Sequence, residues 1–255
     1  MIQAIQQGTI GYRLAIPTLL LLPLAIAGHR SGWLSFQLVT ALLALGILTS
    51  LALLIGGSIA YAKHRDRAFR DNVRTSLILA SIMPLLLLAT LLRFALDGAK
   101  PIIHDITTDT VDVPQFKIAG TLRGESSNSL AIQRHAIAKQ ATAYPHIQTL
   151  HSEMPVSAAL AQAETVAEQL GWIIYYRDPA GGAIEAYDKT PLWGFIDDIV
   201  IRVSSKGHGS HIDLRSVSRV GQGDLGANAA RITRFFSAFN SHAAAESVAA
   251  TTEKH

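Results

Sequence analysis

Three glycines near the C-terminal end of this chain, Gly221, Gly223 and Gly226, stand in the G-x-G-x-x-G spacing of a dinucleotide-binding loop. Around them gather Arg215, Ser218, Arg219, Asp224, Asn228 and Arg231, residue types that bind anions, cap helices or orient a polar ligand. Two other concentrations lie apart in sequence. One is His104-Asp105, followed by Thr107, Thr108 and Asp109; the other is the adjacent pair Asp197-Asp198. A histidine and carboxylate set against a second carboxylate edge are raw material for hydrolysis, provided that the base comes within about 3 Å of its target, or one water away.

The elements around these residues decide which chemistry is open. A dinucleotide loop joins the first strand and helix of a βαβ unit, with a parallel strand carrying an acid about 20 residues on. Here the preceding strands read as hairpin-linked, and an alanine-rich stretch follows the helix. Asp224 is placed to cap that helix with its own carboxylate, at the positive end a pyrophosphate would need. No nucleotide is therefore expected, and the glycines read as a tight corner from strand to helix. The chain has no cysteine, no HExxH, no GxSxG and no i, i+4 histidine pair, so neither a metal nor any other cofactor is expected.

The strands and helices come from periodicity. Val156, Ala159, Leu160, Ala163, Val166, Ala167 and Leu170 fall at helical spacing between Pro155 and Gly171, which predicts an amphipathic helix. From Trp172 the period changes to two in WIIYYRD, AIEAYDKT, DDIVIRVS and SHIDLRSVS, which predicts four antiparallel strands. A closing helix is expected from about Asp224 to Asn240, with Leu225, Ile232, Phe235, Phe236 and Phe239 on its apolar side, then a disordered tail over 241–255. The order of helix, four strands and helix predicts a soluble α+β domain in two layers, its core at 151–240 and its helices on one face of the sheet. Residues 99–150 read as an extended linker and an irregular segment, with a helix over Ser126 to Thr142 weakly indicated by a Ser126 or Ser127 cap.

Whether the last hairpin turns on Gly207-His208 or on Lys206 to Gly209, its register is the same. Arg202 falls opposite Asp213, Ser204 opposite His211 and Val200 opposite Arg215, with Ile199, Ile201, Val203, Ile212 and Leu214 on the core face. An Arg202–Asp213 cross-strand pair is a structural contact of about 0.2 to 1 kcal/mol.

The first 98 residues are different in kind. There is no charged residue between Arg30 and Lys63, nor between Arg74 and Arg93, and about 20 apolar residues suffice to cross a hydrocarbon core. Three transmembrane helices are predicted, at about 10–28, 35–62 and 75–96. The first has a second reading as a signal peptide, because Ala25-Ile26-Ala27 is an A-x-A cleavage pattern. Lys63, Arg65, Arg67, Arg70 and Arg74 lie between the second and third spans. By the positive-inside rule that end is cytoplasmic, which places the N-terminus in the cytoplasm and everything after the third span outside it. In a Gram-negative cell this is an inner-membrane protein with a periplasmic C-terminal domain.

The charge is divided accordingly. Residues 1–100 hold 9 of the 22 Lys and Arg and 3 of the 19 Asp and Glu, so the remaining 13 and 16 leave the soluble half mildly acidic. A basic footprint for nucleic acid is missing there, and no nucleic-acid partner is expected.

The run GWIIYYRD, IEAYDKT, WGFIDDIVIRV and HIDLRSVSRVGQGDLGANAARI, with HDITTDT and Tyr144-Pro145 upstream, resembles the family named domain of unknown function 1499 over about Ile102 to Phe239. The resemblance implies an architecture and the motif residues His104, Asp105, Asp197, Asp198, Arg215, Ser218, Arg219, Asp224, Asn228 and Arg231, with no established reaction attached. The function expected is an envelope membrane protein whose external domain binds a small molecule, a lipid fragment or a membrane protein through the Arg219, Asp224 and Asn228 corner. A hydrolase built from His104-Asp105 and Asp197-Asp198 is the alternative, and a purely structural module is the third reading. The two long spans carry no charge within them, which argues against transport.

Overall fold

The computed structural model describes residues 9–96 and 100–252, without the side chains of 94, 95 and 243–252. The chain divides into two compact units at residues 99/100.

The first unit is three packed helices, α1 (Ile10–Arg30), α2 (Phe36–Lys63) and α3 (Arg67–Leu96). All three are long and apolar enough to cross a membrane. Pro17, Pro23 and Pro84 lie inside helices that continue past them. The third helix begins at Arg67, earlier than the apolar run suggests, because Asp66 accepts the Phe69 N–H at 2.7 Å and caps it. The basic residues expected in a loop therefore ride mostly on the first turns of α3.

The second unit carries β1 (Asp105–Thr107), α4 (Ala119–Leu122), α5 (Arg134–Ala143), β2 (Leu150–Ser152), α6 (Val156–Gln169), β3 (Ile173–Asp178), β4 (Ala183–Lys189), β5 (Ile196–Lys206), β6 (Gly209–Ser218) and α7 (Ala227–Thr252). This is the α+β class expected, but the sheet has six strands. Its order is β1-β6-β5-β4-β3, with β2 also on β6. The two additional strands come from the segment read as linker: β1 pairs with residues 215–217 and β2 with residues 210–212, end to end along the free side of β6. Three-residue strands leave no alternation to detect, and a neighbour's exposed backbone is what draws them in.

The hairpin register is as expected, with Arg202 opposite Asp213, Ser204 opposite His211 and Val200 opposite Arg215. The face bearing Ile199, Ile201, Val203, Ile212 and Leu214 packs against α6 and α7, where Trp172 and Phe235 stack with centroids 5.3 Å apart. Two helix boundaries differ from expectation. The weak helix starts at Arg134 instead of Ser126, since Asn128 is bonded to the glycine loop and the Leu130 carbonyl to Arg215. The last helix starts at Ala227, and the tail expected to be disordered from Ser241 is helical as far as Thr252, in keeping with the high helix propensity of its alanines. Residues 253–255 fall outside the described set.

Candidate functional site

The motif residues are all in this second unit, but they fall into two groups divided by the sheet. Side chains alternate along β5 and β6, so Asp197, Ser216 and Ser218 point toward the helices, whereas Asp198, Arg215 and Val217 point the other way.

On the helix side, Arg231 of α7 is the hub. Its Nε donates to Asp188 at 2.9 Å, Nη2 to Asp197 at 2.6 Å, and Nη1 to Asn228 Oδ1 at 2.6 Å and Ser216 Oγ at 3.1 Å. Asn228 donates in turn to Ser218 Oγ at 2.9 Å and to the His104 carbonyl at 3.2 Å. Asp224 accepts the N–H groups of Gly226 and Asn228, both at 2.9 Å. It is the helix cap that its position suggested. Burial pushes its carboxyl above the usual carboxylate range despite these two bonds.

On the opposite face, Asp198 is fully buried at 0% exposure and is enclosed by cations. Arg219 grips it through Nε at 2.9 Å and Nη2 at 2.8 Å, and Arg123 Nε stands 3.0 Å away. Burial pushes the Arg123 guanidinium down, Asp198 offsets part of that, and the neighbouring Arg219 adds to it. Burial and then the charge of Asp198 raise the Tyr175 phenol well above its ordinary range. Arg215, 1% exposed, binds Asp105 bidentately at 2.9 and 2.7 Å.

The corner expected from Arg219, Asp224 and Asn228 is thus not one site, because Arg219 pairs with Asp198 on one face while Asp224 and Asn228 serve the other. His104 and Asp105 do come back onto the sheet through β1, but the His104 ring meets the Gln222 carbonyl at 3.3 Å and not Asp198. Each of Asp197 and Asp198 already holds an arginine. Among the described residues no carboxylate of these pairs is left to act as a base on His104.

The glycine loop is braced from outside. Asn128 donates from its side chain to the carbonyls of Ser218 at 3.0 Å and Gly221 at 2.7 Å, and from its backbone to Arg219 at 2.7 Å. Gly221 and Gly226 sit at φ 87° and 86°, which residues with a side chain rarely adopt. They shape a turn.

An opening lies beside this loop. A cavity of about 280 Å³ is lined by His104, Asp105, Gln133, His135, Lys139 and Gln222, among others. His135 and Lys139 are one turn apart on α5 and so share a face. If His104 Nδ1–H donates to Gln222, Nε2 is left as an acceptor, and that buried nitrogen has no hydrogen-bond partner. Gln133, His135, Lys139 and Gln222 were not singled out in sequence, although His135 and Lys139 already stood at i, i+4 spacing within the expected helix over Ser126 to Thr142.

A family model matches residues 105–239, from the first residue of β1 to the Phe239 core position of α7. The chain belongs to the family described as Protein of unknown function (DUF1499). The DUF1499 match takes in the side chains of both buried polar groups and the cavity lining from Asp105 onward, begins one residue after His104, and leaves the three apolar helices outside it. No curated protein matches the chain.

Proposed function

We propose that this protein is an inner-membrane protein whose DUF1499 domain lies outside the cytoplasm and works as an accessory binding domain for a small polar envelope molecule. The ligand enters the cavity beside the glycine loop, where Arg215 fixes the lining residue Asp105 from behind. The observation that carries this reading is that His104, whose buried Nε2 is unpartnered, lines a cavity together with Lys139 and His135. A buried acceptor without a donor is costly by about 1 to 3 kcal/mol, and a ligand hydroxyl or amine removes that cost. Lys139 adds a cation for an acidic group on the same molecule. The basic ends of α2 and α3 support the orientation, with the N-terminus in the cytoplasm.

The test is native mass spectrometry of the full chain, purified from the envelope in mild detergent, comparing wild type with Lys139→Glu and His104→Leu. A small co-purifying mass present in wild type and lost from both folded variants is the expected result. Wild type without any adduct, or an adduct retained in both variants, would sink the reading.

A further inference from the structure

The membrane unit contains a second cavity of about 280 Å³, lined by Ile10, Ala52, Gly56, Ala60, Phe69 and Val73, among others. The one hydroxyl on its wall, that of Ser76, donates to the Asn72 carbonyl at 2.9 Å, so the groove has no polar group to offer and fits hydrocarbon. Two of its glycines, Gly11 against Ser76 and Gly57 against Leu77, close the bundle. A Cβ on Gly57 would stand 2.9 Å from Leu77 Cδ2, whereas one on Gly56 would meet nothing within 4 Å. Gly56 therefore faces the open space.

The same end of the bundle is strongly basic. Lys63, Arg65, Arg67, Arg70 and Arg74 have no ion-pair partner among the described residues, and the carboxylate of Asp66 is taken up by capping α3. Arg70 follows Phe69 of the groove wall; its guanidinium lies 4.1 Å over the Tyr61 ring, and its Nε has no hydrogen-bond partner. Arg67 and Arg70 also sit at the positive end of the α3 dipole, where cations are unfavourable and an anion is favoured.

We propose that this end of the bundle binds an anionic phospholipid, one acyl chain lying in the groove at Gly56 and the phosphate held by Arg70 and its basic neighbours. Charge decides the occupant. A neutral transmembrane helix in the groove would leave the cations unanswered, and a free phosphate would leave the apolar groove empty. The site is independent of the DUF1499 domain and of which side of the membrane it faces.

The full chain in detergent is titrated with phosphatidylglycerol or phosphatidylcholine of the same acyl chains and read by native mass spectrometry. The expected result is one retained phosphatidylglycerol, with phosphatidylcholine retained much less. Arg70→Gln weakens the phosphatidylglycerol adduct by about fivefold, the worth of one cation near a lipid surface. Gly56→Leu removes it by filling the groove, and Ala52→Leu blocks the same groove one turn away should the first variant fail to fold. Equal retention of both lipids overturns the proposal, as does a phosphatidylglycerol adduct that survives both leucine variants or a lipid-free dimer in wild type.

Discussion

The two faces of the DUF1499 sheet are both buried, yet they are covered by different materials. The helix-covered face is apolar over most of its area, with Ile199, Ile201, Ile212, Leu214 and Phe235 in contact, and its polar residues gather at one end around Arg231. The other face is covered by residues 108–131, which hold only the one-turn helix α4. A covering loop brings unpaired backbone groups with it, and burying them without partners is expensive. The sheet supplies those partners. Arg215 donates to the carbonyls of Leu130 at 2.8 Å and Pro114 at 3.4 Å, and buried Glu185 accepts the N–H groups of Lys117, Ile118 and Ala119. Charged residues on this face thus do for a loop what apolar ones do for a helix on the other.

That contrast can be broken from either side. The largest effect is expected from Arg215→Leu, which strands Asp105 and two carbonyls together. Loss of one member of a buried pair costs about 3 to 5 kcal/mol, and denaturant unfolding should show that adding Asp105→Leu recovers part of it. If the double variant is no more stable than the single one, the pair is not the main bond holding β1. Phe235→Ala tests the helix side at about 3 to 5 kcal/mol, and here no second-site polar change should compensate.

A smaller effect sharpens the comparison. Glu185→Gln keeps the shape but replaces one acceptor oxygen with a donor, at about 1 to 3 kcal/mol. Hydrogen exchange should quicken at residues 117–119 while the α6 and α7 amides keep their protection. Uniform loss of protection would mean that the loop and helix faces unfold as one.

The smallest effect is a pH dependence at the loop's edge. Burial acts to raise the Asp109 carboxyl, but the Asp112 and Val111 N–H groups and Arg202 outweigh it and hold it below the usual value of 3.8. A lowered folded value means stability that is present above the unfolded value and lost as pH falls through the folded one. Asp109→Asn should therefore lower stability at pH 7, where that contribution is fully present, and approach wild type as the pH falls below about 4, so that the acid limb flattens. An unchanged acid limb in that variant would assign the effect elsewhere.

The Asp224 cap was legible because its partners lie within four residues, and the Arg202–Asp213 pair because one hairpin sets the register. Arg219 was not. Its nearest carboxylate along the chain is Asp224, but strand alternation turns it to Asp198 on the other face. The weak helix was misplaced for a related reason: Asn128, in its expected first turn, bonds Ser218 and Gly221 instead, contacts about 90 residues away in sequence.

Local periodicity and charge were enough to determine the three apolar helices, the four long strands, their register and the core face. The conversion of the apparent linker into two strands and a covering layer, the sorting of the arginines between two faces, and the cavity at His104 arise only in the folded molecule. Each depends on pairing between segments far apart in sequence, where no short-range pattern records which buried donor will meet which buried acceptor.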